Sequence, residues 1–538
     1  MNFIQIFKRQ VSLYPRFQGH RLLHFFTCIF LTVLCYLFFA SFLFPNSDIV
    51  AYQPLWCFLL AAVLGIVLWA IWKLAGLLCE NQVFLRQRGM AVVLLLGLLL
   101  PLQYIIFKSV YYQPGWDVSI LTESGYWLAL EQGIPSNFLD YFACYPNNVT
   151  LLMIWAYMTK LLIRVFGYYD YLFAAIMLSA VMTNMALYFA FKVADRCFGP
   201  RKALTMLAMG IPLLAFAPWM VNPYSDTMSI LFPVLGLWLW LLGREPERKR
   251  WQKLLLLLMC GGGLAFGMRI KPTVAVMLIA LLLTDLLRCR SREAWCSFAK
   301  AAVVVVVAFC TVAVPLDFFC TRIMTSSGVT EERIEETKYP MTHFLMMGMQ
   351  KQPSPFNGER WQYGKWYAGD MNITYGQVGQ QAKIRENLRV VGERLKEFGP
   401  LGYLRFLNDK ARWVLGDGTM YFGGEVPTDV CFQQTPLAHL LQKFFWQPGE
   451  YYPVTAHLLQ AVWMLVLGLC CMPIFRREDR YKERVVACCR LGVCGIILFI
   501  LLFEGRARYL INFLPLFLVL AAYGLPTKER PIQQEASR

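Results

Sequence analysis

Twelve apolar runs of 17 to 25 residues punctuate this 538-residue chain, near 22–44, 55–79, 90–110, 170–193, 203–219, 226–243, 253–269, 272–288, 299–320, 453–474, 485–503 and 507–524. A helix of such length spans the roughly 30 Å of hydrocarbon in a bilayer. Lipid offers no partner for backbone N–H and C=O groups, so runs of this kind cross it as helices. Hydrophobic residues make up 58% of the chain and charged residues 16%, more apolar area than a soluble fold can cover. The expected fold is therefore an all-α polytopic membrane protein. The run at 22–44 is too long for a cleavable signal and reads as a signal anchor.

The net charge of +17 does not indicate a nucleic-acid partner. The cations sit in short loops between the runs, the pattern that orients membrane helices. Of seventeen cysteines, most fall within the runs, where they act as small apolar residues; Cys144 and Cys431 are the main exceptions. The five histidines (His20, His24, His343, His439, His457) are scattered and form no HExxH pair.

A further run, 149–166, is ambiguous. With the basic N-terminus (Lys8, Arg9, Arg16, Arg21) inside, the loop 111–148 lies outside and carries Asp117, Glu123, Glu131 and Asp140 with no lysine or arginine. If 149–166 lies along the outer surface, the loops holding Arg196/Arg201/Lys202, Arg244/Arg248/Lys249/Arg250, Arg288/Arg290/Arg292 and Arg476/Arg477/Arg480/Lys482 all face the cytoplasm. Lys160 and Arg164 suit a surface helix. The expectation is twelve crossings, both termini inside, a juxtamembrane helix at 149–166 and one large extracytoplasmic insert, 321–452. Within that insert Ile384, Leu388, Val391 and Leu395 mark an amphipathic helix closed by Gly399-Pro400. A second helix runs from about 401 to the turn at 416–418.

This topology brings the unusual polar groups to one face. Asp117, in Gly115-Trp116-Asp117-Val118, serves equally as a general base or as the cap of a helix starting near Val118, and Glu123 follows it. Tyr145-Pro146-Asn147-Asn148 offers two adjacent amides beside an aromatic, an edge suited to sugar hydroxyls. Tyr224 and Asp226 open the sixth run. Arg269 and Lys271, and Arg506 and Arg508 with Glu504 beside them, place cations at outer helix ends, against the bias of the cytoplasmic loops. Two such pairs together would bind a phosphate or diphosphate at the membrane surface. Gly261-Gly262-Gly263 and Gly267 lie inside a run, where small residues let helices approach closely. Trp361, Tyr363, Trp366 and Tyr367 of the insert would stack on sugar rings or form a local core.

These residues resemble the GT-C superfamily of polyprenyl-phosphate-dependent glycosyltransferases, and most of all its bacterial protein O-mannosyltransferase and aminoarabinose-transferase branch. The likeness lies in GWDVSILTESGYWLAL, YPNNVTLLMIWAYMTKLLIRVFG, ADRCFGPRK and NPYSDT over about 90–245, and in EGRARYLINFLP. It implies an inverting transfer of a sugar from a lipid-phosphate donor on the extracytoplasmic side, with Asp117 matching the catalytic acid residue and Asp226 the second outer carboxylate. Many members carry a second acid close after the first, whereas Val118 and Ser119 follow Asp117 here. No cofactor is expected, and the motif does not argue for a divalent metal. The implied layout is an N-terminal transmembrane extension at 1–89, a GT-C-like catalytic module at 90–320 with outer loop 111–169, an extracytoplasmic domain at 321–452, and C-terminal helices with a cytoplasmic tail at 453–538. The expected partners are the bilayer, a polyprenyl-phosphate-linked sugar, and a glycan, lipid or protein acceptor. The rival reading, a transporter or flippase of lipid-linked sugars, calls for ionisable groups at the bilayer midplane. The charges here cluster instead at helix ends.

Overall fold

The computed structural model describes residues 21–45, 47–289, 291–356, 358–424, 432–475 and 483–526. His20, the basic residues Lys8, Arg9, Arg16, Arg290, Arg476, Arg477, Arg480 and Lys482, and Cys431 lie outside the described residues.

Among the described residues, eleven helices are long and apolar enough to cross a membrane. Ten coincide with expected runs, and the eleventh is Pro146–Phe166. The two remaining runs are shorter or broken. Residues 203–219 fold as a helix Pro200–Gly210, a π turn Ile211–Ala215 and a 3-10 turn Pro218–Val221, since Pro212 and Pro218 each remove a ladder donor. Residues 272–288 begin as a 3-10 turn at Pro272–Val274 and continue as a helix Ala275–Arg288.

Ion pairs define the two ends of the bundle. At one end Arg88 meets Asp195 at 2.8 Å, Arg196 pairs with Glu245, and buried Asp285 takes Arg244 at 3.0 Å and Arg484 at 2.6 Å. At the other end Lys108 and the Tyr111 hydroxyl both bond Asp170. Helix Gln82–Val110 therefore runs from the first end to the second, and helix Tyr171–Phe198 runs back. The intervening Pro146–Phe166 starts and finishes at the second end. Its length permits a crossing, but its connections do not. Lys160 and Arg164 reach Glu131 at 2.8 and 3.1 Å on its polar side, as a helix lying along a surface requires. With it set aside and the two shorter segments included, twelve passages run through the bundle among the described residues.

Close packing explains part of the glycine-rich stretch. A Cβ added at Gly261 would collide with the Val305 carbonyl oxygen and come 2.9 Å from the Ala308 Cβ, and one added at Gly267 would collide with the Phe232 side chain. These two let helix Arg250–Ile270 approach its neighbours closely. Gly263 faces open space.

Between Ser326 and Tyr452 the chain forms the two expected helices within Gln380–Leu415, separated at Gly399 where the backbone leaves the helix with φ 59°. Shorter helices Glu331–Thr337, Met341–Gly348, Ala368–Tyr375 and Pro436–Phe445 surround them. A small hairpin, unforeseen in the sequence, pairs Lys351–Pro353 antiparallel with Trp361–Tyr363. The loop after the first helix is sewn into this segment. Buried Asp48 accepts from Trp413 Nε1 at 2.8 Å, Ser354 Oγ at 2.9 Å and Gln362 Nε2 at 2.6 Å, and Tyr52 donates to Asp417 at 2.8 Å. The two leading spans are thus tied to the segment that covers the second end.

Candidate functional site

The second end of the bundle encloses a cavity of about 670 Å³. Several helix ends and the 326–452 segment meet there, and most of the polar groups singled out in the sequence line it.

Asp117 opens the helix Asp117–Ala129. Trp116 holds the N-cap position without a side-chain cap bond, and a carboxylate in the first turn suits the helix dipole. Among the described residues the Asp117 side chain accepts from no helix N–H. Its Oδ2 accepts the Tyr224 phenol proton at 2.7 Å, so the carboxylate is held at the cavity wall by a residue more than 100 positions away. Tyr145, Asn147 and Asn148 line the same wall. Asn147 donates to Asn148 Oδ1 at 3.0 Å, and Asn148 donates to the Tyr141 hydroxyl at 2.6 Å.

The cations are held by a buried acid. Asp226 is wholly buried, where it pairs with Lys271 and takes Arg508 Nη1 at 3.3 Å. Lys271 also lies over the Tyr509 ring at 4.0 Å. The Arg508 guanidinium is boxed by Trp116 at 4.9 Å, Tyr224 at 5.0 Å and Tyr509 at 5.4 Å. Such rings stabilise a cation while leaving its remaining N–H groups to a ligand. Arg508 Nε has no partner among the described residues. Arg506 lies beside the Tyr421 ring at 5.9 Å, and Met420 and Tyr421 both adopt left-handed backbone (φ 54° and 67°). Two consecutive non-glycine residues in that region persist only where surrounding contacts impose it.

The loop carrying these arginines is clamped from the insert. Glu504 N donates to Phe344 O at 2.7 Å and Gly505 N to Gly364 O at 2.9 Å. Lys410, fully buried, donates to Gly348 O at 2.7 Å, Leu501 O at 3.2 Å and Phe503 O at 2.7 Å. It satisfies carbonyls that the end of helix Arg484–Leu502 leaves without intrahelical partners. Burial pulls the Lys410 ammonium down to about 7. Glu504 accepts from the Tyr509 hydroxyl at 2.9 Å, and burial pushes its carboxyl up from the ordinary range.

Asp117, Tyr145, Asn147, Asn148, Tyr224, Lys271, Glu504, Arg506 and Arg508 all line the cavity. Three other candidates do not. Glu123 accepts from Gln113 Nε2 at 3.2 Å, Arg269 pairs with Asp317 at 2.5 Å, and Asp226 lies behind the cations it orients. Of the four insert aromatics only Trp366 reaches the cavity; Tyr363 packs on Phe406 and Trp361 lies under Lys351. Sequence reasoning passed over Tyr141, His343, Lys410 and Tyr509. Of these, Tyr509 carried a readable signal, standing next to Arg508. Among the described residues no grouping of three or more His, Cys, Asp and Glu could hold a metal ion.

In fold comparison the chain is similar to the crystal structures of ArnT from Cupriavidus metallidurans bound to undecaprenyl phosphate and in the apo state. Identities are 13% and 14%, coverage is 80% and 81% of this chain and 77% and 78% of those, and the TM-score is 0.36 in both cases. No curated protein matches the sequence. Residues 16–528 match a family described as conserved hypothetical integral membrane protein, and the chain belongs to that family.

Proposed function

We propose that this protein is a multi-pass cell-membrane glycosyltransferase that moves a sugar from a polyprenyl-phosphate donor to an extracytoplasmic glycan, lipid or protein acceptor. The observation that carries this reading is one cavity, at one end of a membrane bundle, lined by a fixed carboxylate and three clustered cations. Lys271, Arg506 and Arg508 receive the donor phosphate, with the arginines suited to bidentate contacts. The polyprenyl tail remains in lipid. Asp117 takes the proton of the acceptor hydroxyl as its oxygen bonds the anomeric carbon, and the bond from that carbon to the phosphate oxygen breaks on the opposite face. The electron pair leaves on the phosphate, where the cations stabilise it.

Incubating the purified protein with a panel of polyprenyl-phosphate sugars tests the reading. The expected result is release of free polyprenyl phosphate with one of them. Inertness toward the whole panel, in protein that still binds polyprenyl phosphate, counts against transfer.

The charge balance adds a pH signature. Glu504 lies within electrostatic reach of Arg508 and Lys271. Protonating it makes the site more positive, and burial already favours that form. Donor affinity should fall as pH rises through the elevated Glu504 value. Glu504→Gln keeps the bond to Tyr509 and should flatten this dependence, as donor binding measured from pH 5 to 9 will reveal.

A further inference from the structure

The insert side of the cavity differs from the rest. Met341, Phe344, Met347, Trp366 and Met371 make it apolar, and among them stands His343, a residue the mechanism above does not use.

His343 is 0% exposed yet lines the cavity. Its ring stacks on Tyr339 with centroids 4.2 Å apart and planes 14° apart. Its Nδ1 lies 2.8 Å from Thr374 Oγ1, and Thr374 Oγ1 lies 2.8 Å from Asn387 Oδ1. A threonine hydroxyl has one proton. Thr374 gives it to Asn387 Oδ1 or to the Asp370 carbonyl oxygen at 3.2 Å, so in either case its oxygen receives the Nδ1 proton of His343 and the Nε2 lone pair is left bare. Nε2 has no partner among the described residues. A buried acceptor without a partner is costly, and its residue is part of the cavity wall.

We propose that His343 Nε2 accepts a hydrogen bond from a sugar hydroxyl in the cavity, making this wall a carbohydrate subsite; the inference rests on the transferase reading. A bare lone pair repels phosphate oxygens and accepts only from a donor such as a hydroxyl. The apolar side chains around it, Trp366 above all, suit the C–H faces of a pyranose ring. Burial and the nearby Lys383 push the imidazole down to about 4, so the ring is neutral and keeps that lone pair at neutral pH. The hydroxyl belongs either to the donor sugar or to an acceptor sugar.

Three probes separate these sources: undecaprenyl phosphate, undecaprenyl phosphate carrying glucose, and octyl β-D-glucoside added to protein saturated with undecaprenyl phosphate. Each is titrated into the parent, His343→Asn and His343→Gln. Asparagine keeps a donor near the Nδ1 position for Thr374 but removes the Nε2 acceptor; glutamine reaches the Nε2 position but loses the Thr374 bond. The expected result for H343N is an unchanged Kd for undecaprenyl phosphate and about tenfold weaker binding of one sugar-bearing probe. The glucose-bearing lipid responds if the donor sugar is read, and the glucoside responds if the acceptor is. H343Q should recover part of that loss. A purely structural histidine gives the reverse order, with asparagine tolerated and glutamine harmful to all three probes. Parental Kd values for both sugar probes in H343N, or an equal loss for undecaprenyl phosphate, overturn the subsite. A parent protein that binds neither lipid overturns the transferase reading, and the subsite with it.

Discussion

Asp117→Asn should lower turnover by about 10²–10⁴-fold, the usual contribution of a general base, with donor affinity little changed. Asparagine still accepts the Tyr224 phenol through its side-chain oxygen, so the wall geometry survives. A structural role predicts far less. The cap position belongs to Trp116, and among the described residues the Asp117 carboxylate bonds Tyr224 and no helix N–H, so the lost dipole interaction is worth only about 0.3–1 kcal/mol. Single-turnover transfer with a working donor discriminates the two. Activity within a few-fold of the parent removes Asp117 from the chemistry. Glu123→Gln is the matched control. Six residues along a helix turn the side chain through about 240°, and Glu123 accordingly meets Gln113 instead of the cavity.

That rotation shows where sequence reasoning reaches and where it stops. Runs of apolar residues and the sign of each loop are one-dimensional properties. They located the spans and kept Pro146–Phe166 on one side, although its length alone suits a crossing. Polar groups at helix ends are also legible, because a bundle must bring alternate ends together. Direction around a helix and long-range pairing are not. Arg269 and Lys271 stand two residues apart, yet one turns to Asp317 and the other to Asp226. Lys410 belongs to no motif in the sequence. Only the fold places three carbonyls from two other segments around its ammonium. His343 is one of five scattered histidines until Thr374 fixes its tautomer. The strands Lys351–Pro353 and Trp361–Tyr363 are too short to show a period of two.

Asp226 is where the sequence and the structure assign different work to the same carboxylate. Opening a helix among outer polar groups, it suggests a second catalytic acid. Wholly buried behind Lys271 and Arg508, it is proposed here as a positioning residue. Asp226→Asn should therefore leave two buried cations without their counter-charge. Removing one partner of a buried pair typically destabilises by about 3–5 kcal/mol, which chemical unfolding in lipid micelles will register. Donor binding should weaken as well, because the ammonium and guanidinium lose the contact that aims them. The double variant Asp226→Asn with Lys271→Met separates these effects. Eliminating the stranded ammonium should restore part of the stability, whereas donor binding should stay weak because a phosphate ligand has gone. A catalytic acid predicts another pattern: Asp226→Asn with parental stability, parental donor affinity and lost turnover. That outcome would return Asp226 to the reacting atoms and leave the orientation of Lys271 and Arg508 to the aromatic rings around them.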